Sequence, residues 1–334
     1  MNWILKVALS IAILALVQCK ADTSSVSKVI SEGEAALDEL NTLIKKNPTD
    51  HKLLFNRANL RYNDENYDQA ILDLNKAIEI DSMVPEYYHL LSDAYLDYYR
   101  SKDALQIMQK AGDVFPERIP TLLKLSETQL ILKQNDESLF TVARILTIDP
   151  NNAEGHFMTG MNFRAIGETD RAINAFQKAT ELDPEITDAW LIIGDLFDQK
   201  GDKRALDYYE AAINSDADNP TTWHSKAYYL QNNNRDAEAI AIYKKINTID
   251  KNYLDAYLNA GILYMTQDSV DQALEQFDIM ASIKAQDYRA YYYRGLCYEK
   301  IGNISAAKAD FQNCLNLKPD FEQATRAMHN LSAS

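Results

Sequence analysis

Asp195 and Asp198 stand three residues apart, close to one helical turn, and paired carboxylates at such a distance can serve as acid and base. Solvated helix faces carry the same spacing routinely, so the pair alone does not imply a reaction. The five histidines, His51, His89, His156, His224 and His329, are scattered along the chain and never approach a metal-ligand spacing. The sequence contains no Gly-x4-Gly-Lys loop, no Gly-x-Ser-x-Gly elbow, no His-Glu-x2-His helix and no Cys-x2-Cys pair. A non-enzyme is expected, with no metal and no cofactor. Cys297 and Cys314 sit among apolar neighbours, where they are either buried packing residues or, in an exported protein, a disulfide.

Small residues set the organisation of the chain. Ala70, Ala104, Ala172, Ala205, Ala239, Ala273 and Ala307 recur at 34 residues or a multiple of it, with one residue missing between Ala172 and Ala205. Ser138 fills the remaining slot. Gly160, Gly194, Gly261 and Gly295 keep the same period, as do Pro116, Pro150 and Pro184. A fixed period of this length marks a solenoid, whose units stack in one dimension.

Within the unit from Ala153 to Ile186, His156, Thr159, Gly160 and Phe163 fall on one helical face. Gly167-Glu-Thr-Asp170 breaks the pattern, and Ala172, Phe176 and Ala179 restart it before Asp183-Pro184 ends it. Gly160 and Ala172 are expected where the two helices cross, with Phe163 and Phe176 filling the space beside them. This pattern resembles the tetratricopeptide repeat. The signature is also legible in Trp190, Gly194, Phe197, Ala205, Tyr209 and Ala212. It returns in Tyr257, Gly261, Tyr264, Ala273 and Phe277, and in Tyr291, Gly295, Tyr298, Ala307, Phe311 and Pro319. The unit from 119 departs from it, with Gln129 at an aromatic slot and Ser138 at the alanine.

The resemblance implies an all-α fold, an α-solenoid coiled as a right-handed superhelix. Eight repeats are expected over 51–321, starting at 51, 85, 119, 153, 187, 220, 254 and 288. Residues 31–50 are expected to form a capping half repeat, with a lone helix from Ser31 to Lys46, and 322–334 a closing helix. The register of the family assigns to the concave face Phe55, Tyr62, Asp93, Asp97, Leu123, Glu127, Phe157, Met158 and Met161. It continues through Leu191, Ile192, Asp195, Asp198, Tyr228, Asn259, Ile262, Met265 and Tyr292. Apolar side chains fringed by carboxylates suit a protein or peptide with basic flanks. The chaperone-binding carboxylate clamp of the family is not expected: Asn56 matches its asparagine, but Glu86 and Leu90 stand where a lysine and an arginine are required.

Net charge is −15, which disfavours nucleic acid as a partner. Lys6 followed by the apolar run from Val7 to Val17 has the form of a signal peptide. That run covers about 16 Å as a helix, short of the ~30 Å of a bilayer core. Leu16-Val17-Gln18-Cys19 resembles the lipobox of bacterial lipoproteins, although Gln18 stands where that family has a small residue. The resemblance implies a signal over 1–18, acylation of Cys19, a lipid anchor in the membrane and a tether over 19–30. Lys20, in place of aspartate, implies the outer membrane. The alternative is cleavage after Ala21, which would release a soluble exported adaptor at Asp22. A third reading is a ligand-capture lipoprotein stacking glycans on some of the 20 tyrosines.

Overall fold

A computed structural model describes residues 23–333, and side chains from 34 to 331. The signal, Cys19 and the first residues of the expected tether lie outside the described residues. All eighteen elements among the described residues are helices. The lone helix α1 runs Thr23–Lys46. It begins eight residues before Ser31, so most of the stretch expected as a tether is helical. No proline or glycine stands between Thr23 and Ser31 to stop it.

Eight hairpins follow. The first four pair α2 (His51–Asn63) with α3 (Tyr67–Ile80), α4 (Pro85–Asp97) with α5 (Ser101–Val114), α6 (Ile119–Ile131) with α7 (Asn135–Ile148), and α8 (Ala153–Ala165) with α9 (Thr169–Leu182). The others pair α10 (Thr187–Gln199) with α11 (Ala205–Ser215), α12 (Pro220–Asn232) with α13 (Asp236–Ile249), α14 (Leu254–Thr266) with α15 (Val270–Ile283), and α16 (Tyr288–Lys300) with α17 (Ile304–Leu317). Helix α18 (Glu322–Ala333) closes the chain. No described helix is long and apolar enough to cross a membrane. The chain divides into two compact units, one ending at Leu182 and the other starting at Asp183. Inside each unit, a hairpin's second helix packs on the first helix of the next hairpin.

The periodic small residues are contact points. A Cβ on Gly160 would stand 2.7 Å from the Phe176 ring, and one on Gly194 or Gly295 would stand 2.7 Å from Tyr209 or Phe311. Ala70, Ala104, Ala172, Ala205, Ala239, Ala273 and Ala307 are all fully buried. A second set of periodic contacts uses the residue four places before the small one. Tyr88, His156, Trp190 and Trp223 each reach back six residues to a loop carbonyl, at 3.1, 3.0, 3.0 and 2.8 Å. His156 thus takes over the hydrogen bond of an aromatic residue and remains partly exposed.

Every hairpin turn contains one residue in the left-handed region: Glu65, Tyr99, Lys133, Gly167, Gly201, Asn234, Asp268 and Gly302. The alanine or serine of the second helix lies five residues further on, except after Gly201, where Ala205 is only four away. The missing residue of the 34-residue period is therefore lost from this turn. In its place Arg204 binds the Asp202 carboxylate through its backbone and side chain.

The third hairpin replaces aromatic packing with hydrogen bonds. Ser126 and Ser138 meet at 2.9 Å, Asn162 Nδ2 donates to Ser138 Oγ at 2.9 Å, and Thr141 pairs with Gln129 at 2.8 Å, all buried. In the first and last hairpins the corresponding place holds an ion pair. Arg57 binds Asp73 through Nε and Nη2 at 2.8 and 2.6 Å, and Arg294 binds Asp310 through the same two atoms at 2.7 Å.

Candidate functional site

The first helices of the amino-terminal unit carry a polar cluster on the face that the repeat register assigns to a groove. Tyr62 of α2 donates to Asp97 of α4 at 2.5 Å, and Lys124 of α6 meets Asp93 of α4 at 2.5 Å. Glu127, one turn along α6 from Lys124, adds a third carboxylate near the same charge. Burial raises the pKa of Asp93, an effect partly offset by Lys124, and burial likewise raises that of Glu127. The Tyr62 phenol is held well above its ordinary value by burial and by Asp97. Lys124 lies near two carboxylates, Asp93 and Glu127, and Asp97 adds a third beside Asp93, so negative charge exceeds positive in this cluster. Such a site strengthens attraction for an incoming cation.

Leu123, Phe157, Met158 and Met161, on α6 and α8 of the same unit, are half-buried. Phe157 packs edge-on against Phe176 with ring centres 5.4 Å apart. Phe55 lies 4.8 Å from the Tyr87 ring and belongs to the core margin more than to an open face.

The carboxy-terminal unit corrects several expected groove residues. Leu191 and Ile192 are buried, at 3 % and 1 % exposure. Between Trp190 and Phe197 helix α10 carries one polar side chain, Asp195, which stays half-exposed, as do Trp190 and Asp198, while Leu191 and Ile192 are covered. Asp195 accepts from Tyr209 at 2.9 Å, so this member of the pair considered as a catalytic dyad helps to hold the hairpin. Burial raises the Asp198 pKa. Asn259 Nδ2 lies 3.1 Å from His224 Nε2, and Tyr292 is enclosed by Phe311 and Phe321 at 6.1 and 5.0 Å between ring centres. Both make contacts within the unit and remain half-exposed. Ile262 and Met265 are half-buried, and Tyr228 is 51 % exposed.

Cys297 and Cys314 are free, buried thiols, pushed up to about 11 by burial, and no disulfide joins them. Tyr209, Tyr243 and Tyr264 are buried and cannot stack a ligand. Among the described residues, no three of His, Cys, Asp or Glu come together as a metal site.

Profiles described as tetratricopeptide repeat match residues 31–83 and 157–220, 220–253, and 260–332. The general transcriptional corepressor ssn6 of Schizosaccharomyces pombe is 26 % identical over 141 residues, covering 41 % of this chain and 13 % of that protein. A DnaJ homolog subfamily C member 7 homolog of the same yeast is 25 % identical over 180 residues, 48 % of this chain and 38 % of the relative. The chain thus spans well under half the length of these curated relatives. Among solved structures, PilF of Pseudomonas aeruginosa matches with a TM-score of 0.50 and 16 % identity, covering 64 % of this chain and 97 % of that one. YrrB, a TPR protein with a peptide-binding site, matches with a TM-score of 0.46 and 20 % identity over 56 % of this chain and 96 % of its own. The PilF structure shares the fold. The helical hairpins, their fixed period and the profiles that cover more than half of its length agree: this chain belongs to the tetratricopeptide repeat family.

Proposed function

We propose that the protein is a non-catalytic scaffold that binds a partner protein or peptide along the first helices of its amino-terminal unit. The observation that carries this reading is an acidic cluster in which Lys124 lies near the half-buried Asp93 and Glu127, and Tyr62 donates to the exposed Asp97. Apolar Leu123, Met158 and Met161 are carried on the first helices of the same unit. Thioether side chains adapt to an incoming surface, and the carboxylates favour basic residues flanking an apolar segment.

The setting we propose is a bacterial cell envelope. Acylation at Cys19 would hold the protein on the outer membrane, where envelope assembly, secretion and pilus-type machineries require scaffolds. The support is the apolar run to Val17 and the cysteine directly after Gln18. Cleavage after Ala21 would instead yield a soluble exported adaptor with the same binding face.

Two substitutions test the face: Met158→Asp with Met161→Asp, and Asp93→Lys with Glu127→Lys. Each should remove the same partner from a tagged chain while helicity is kept. A partner retained by both variants would move the binding site elsewhere. Cys19→Ser tests the anchor, since an unchanged membrane fraction would remove the lipid from the account.

A further inference from the structure

The run from Val7 to Val17 is apolar but for Ser10, and Lys6 and Lys20 bracket it. No Asp or Glu stands between the two lysines. An apolar stretch of this size is costly to leave in water, so it needs a cover until a membrane or a protease takes it.

Helix α1 sets where this segment is attached. A loop of residues 47–50 joins α1 to α2, and the two helices pack together. Arg57 Nη1 donates to Asn41 Oδ1 at 2.7 Å, which pairs residues at similar distances on either side of that loop. The helices therefore run antiparallel, and Thr23 lies towards the edge of the unit at which α2 ends. Tyr62, next to last in α2, and Asp97, last in α4, meet at that same edge.

The lengths match as well. Helix α1 has 24 residues and α2 has 13, so α1 overhangs α2 by about 16 Å. Residues 18–22, which link the apolar run to Thr23, span about 17 Å when extended. That link is long enough to return the run to Tyr62 and Asp97. From there the first helices offer the carboxylates of Asp97, Asp93 and Glu127, and then the half-buried Leu123, Met158 and Met161. Carboxylates in excess over Lys124 attract the bracketing lysines, and thioethers adapt to an aliphatic surface.

We infer that residues 7–17 of this same chain, with Lys6 and Lys20 at their ends, occupy the first-helix face until they are removed. The inference rests on the reading of that face as a site for an apolar segment with basic flanks, and it names the first occupant. A segment joined by a short link acts at a local concentration on the order of millimolar, so even a weak contact keeps the face filled. Partner binding then becomes conditional on loss of the segment.

The test uses the 334-residue chain, produced without export so that residues 1–18 are retained, with a photoreactive phenylalanine analogue at Met161. Irradiation of the purified protein should give a crosslink within one chain, mapped by mass spectrometry to residues 4–20. Asp93→Lys with Glu127→Lys should lower its yield at least about three-fold, and so should Lys6→Glu with Lys20→Glu, a pair that lies outside the described helices. No such crosslink, or a yield unchanged by both charge reversals, would overturn the inference. A partner captured at position 161 in cells, without the link inside the purified chain, sinks the self-occupancy alone. Absence of both removes the face itself.

Discussion

Gly261 and Phe277 are in such close contact that a Cβ on the glycine would stand 2.5 Å from the ring of the fully buried phenylalanine. The two positions are sixteen residues apart, and three other hairpins change both: where the first is Ala58, Ser92 or Ser126, the second is Leu74, Met108 or Val142 in place of a ring. Ala227 is the exception, since it stands sixteen residues before the buried ring of Tyr243. Gly261→Ala should therefore destabilise the protein by about 1–3 kcal/mol, less the roughly 1 kcal/mol that alanine gains in helix propensity. Adding Phe277→Leu should recover part of the loss, which urea unfolding of the two variants measures.

Tyr99 has φ +58° and is 94 % exposed, so it is strained and touches almost nothing. Tyr99→Gly should stabilise the second hairpin by about 1 kcal/mol. The check is a higher denaturation midpoint with an unchanged slope. The same substitution at the interior of a helix would have the opposite sign.

Asp73 is 5 % exposed and holds both Arg57 and Arg61, at 2.6 Å each. Removing a buried carboxylate strands two guanidinium groups, so Asp73→Ala should cost about 3–5 kcal/mol. Because stability in a repeat array is local, the loss should appear as faster amide exchange in α1 to α3, with α14 to α17 little changed. Uniform acceleration along the chain would contradict the pairing argument.

His89 lies 3.0 Å from Thr121, and its pKa is lowered to about 4 by burial and by Arg118 and Lys124. The unfolded chain takes up the proton near 6.5, before the folded protein does. Stability is therefore complete above 6.5 and is lost as pH falls towards 4. Partial solvent contact reduces the expected loss to about 1–2 kcal/mol. In unfolding measurements at pH 7 and pH 5, His89→Gln should shrink the difference.

The period, the hairpins and their count are readable in the sequence because small residues must recur wherever two helices cross. Gly160, Gly194, Gly261 and Gly295 are such places. The turns are less legible. Three of the eight left-handed residues are Glu65, Tyr99 and Lys133, whose side chains do not announce that conformation; only the register shows it. The placement of the residues expected on the concave face is partly legible. Asp93 and Glu127 both lie near Lys124, whereas Leu191 and Ile192 are buried although they share a face of α10 with the half-exposed Asp195 and Asp198. A register names the face of a helix but not whether the neighbouring residues leave it open. Gln129 is visible as a departure from the pattern, yet its buried partner Thr141 is not connected to it by any local motif.

Photo-crosslinking in cells tests the central claim most directly. A photoreactive phenylalanine analogue at Met161, on the first-helix face, is compared with one at Leu72, which is 61 % exposed on α3. The account predicts a discrete crosslinked partner from position 161 that disappears when Asp93 and Glu127 are changed to lysine. Crosslinks that form only from position 72, or that persist unchanged through the charge reversal, would contradict it.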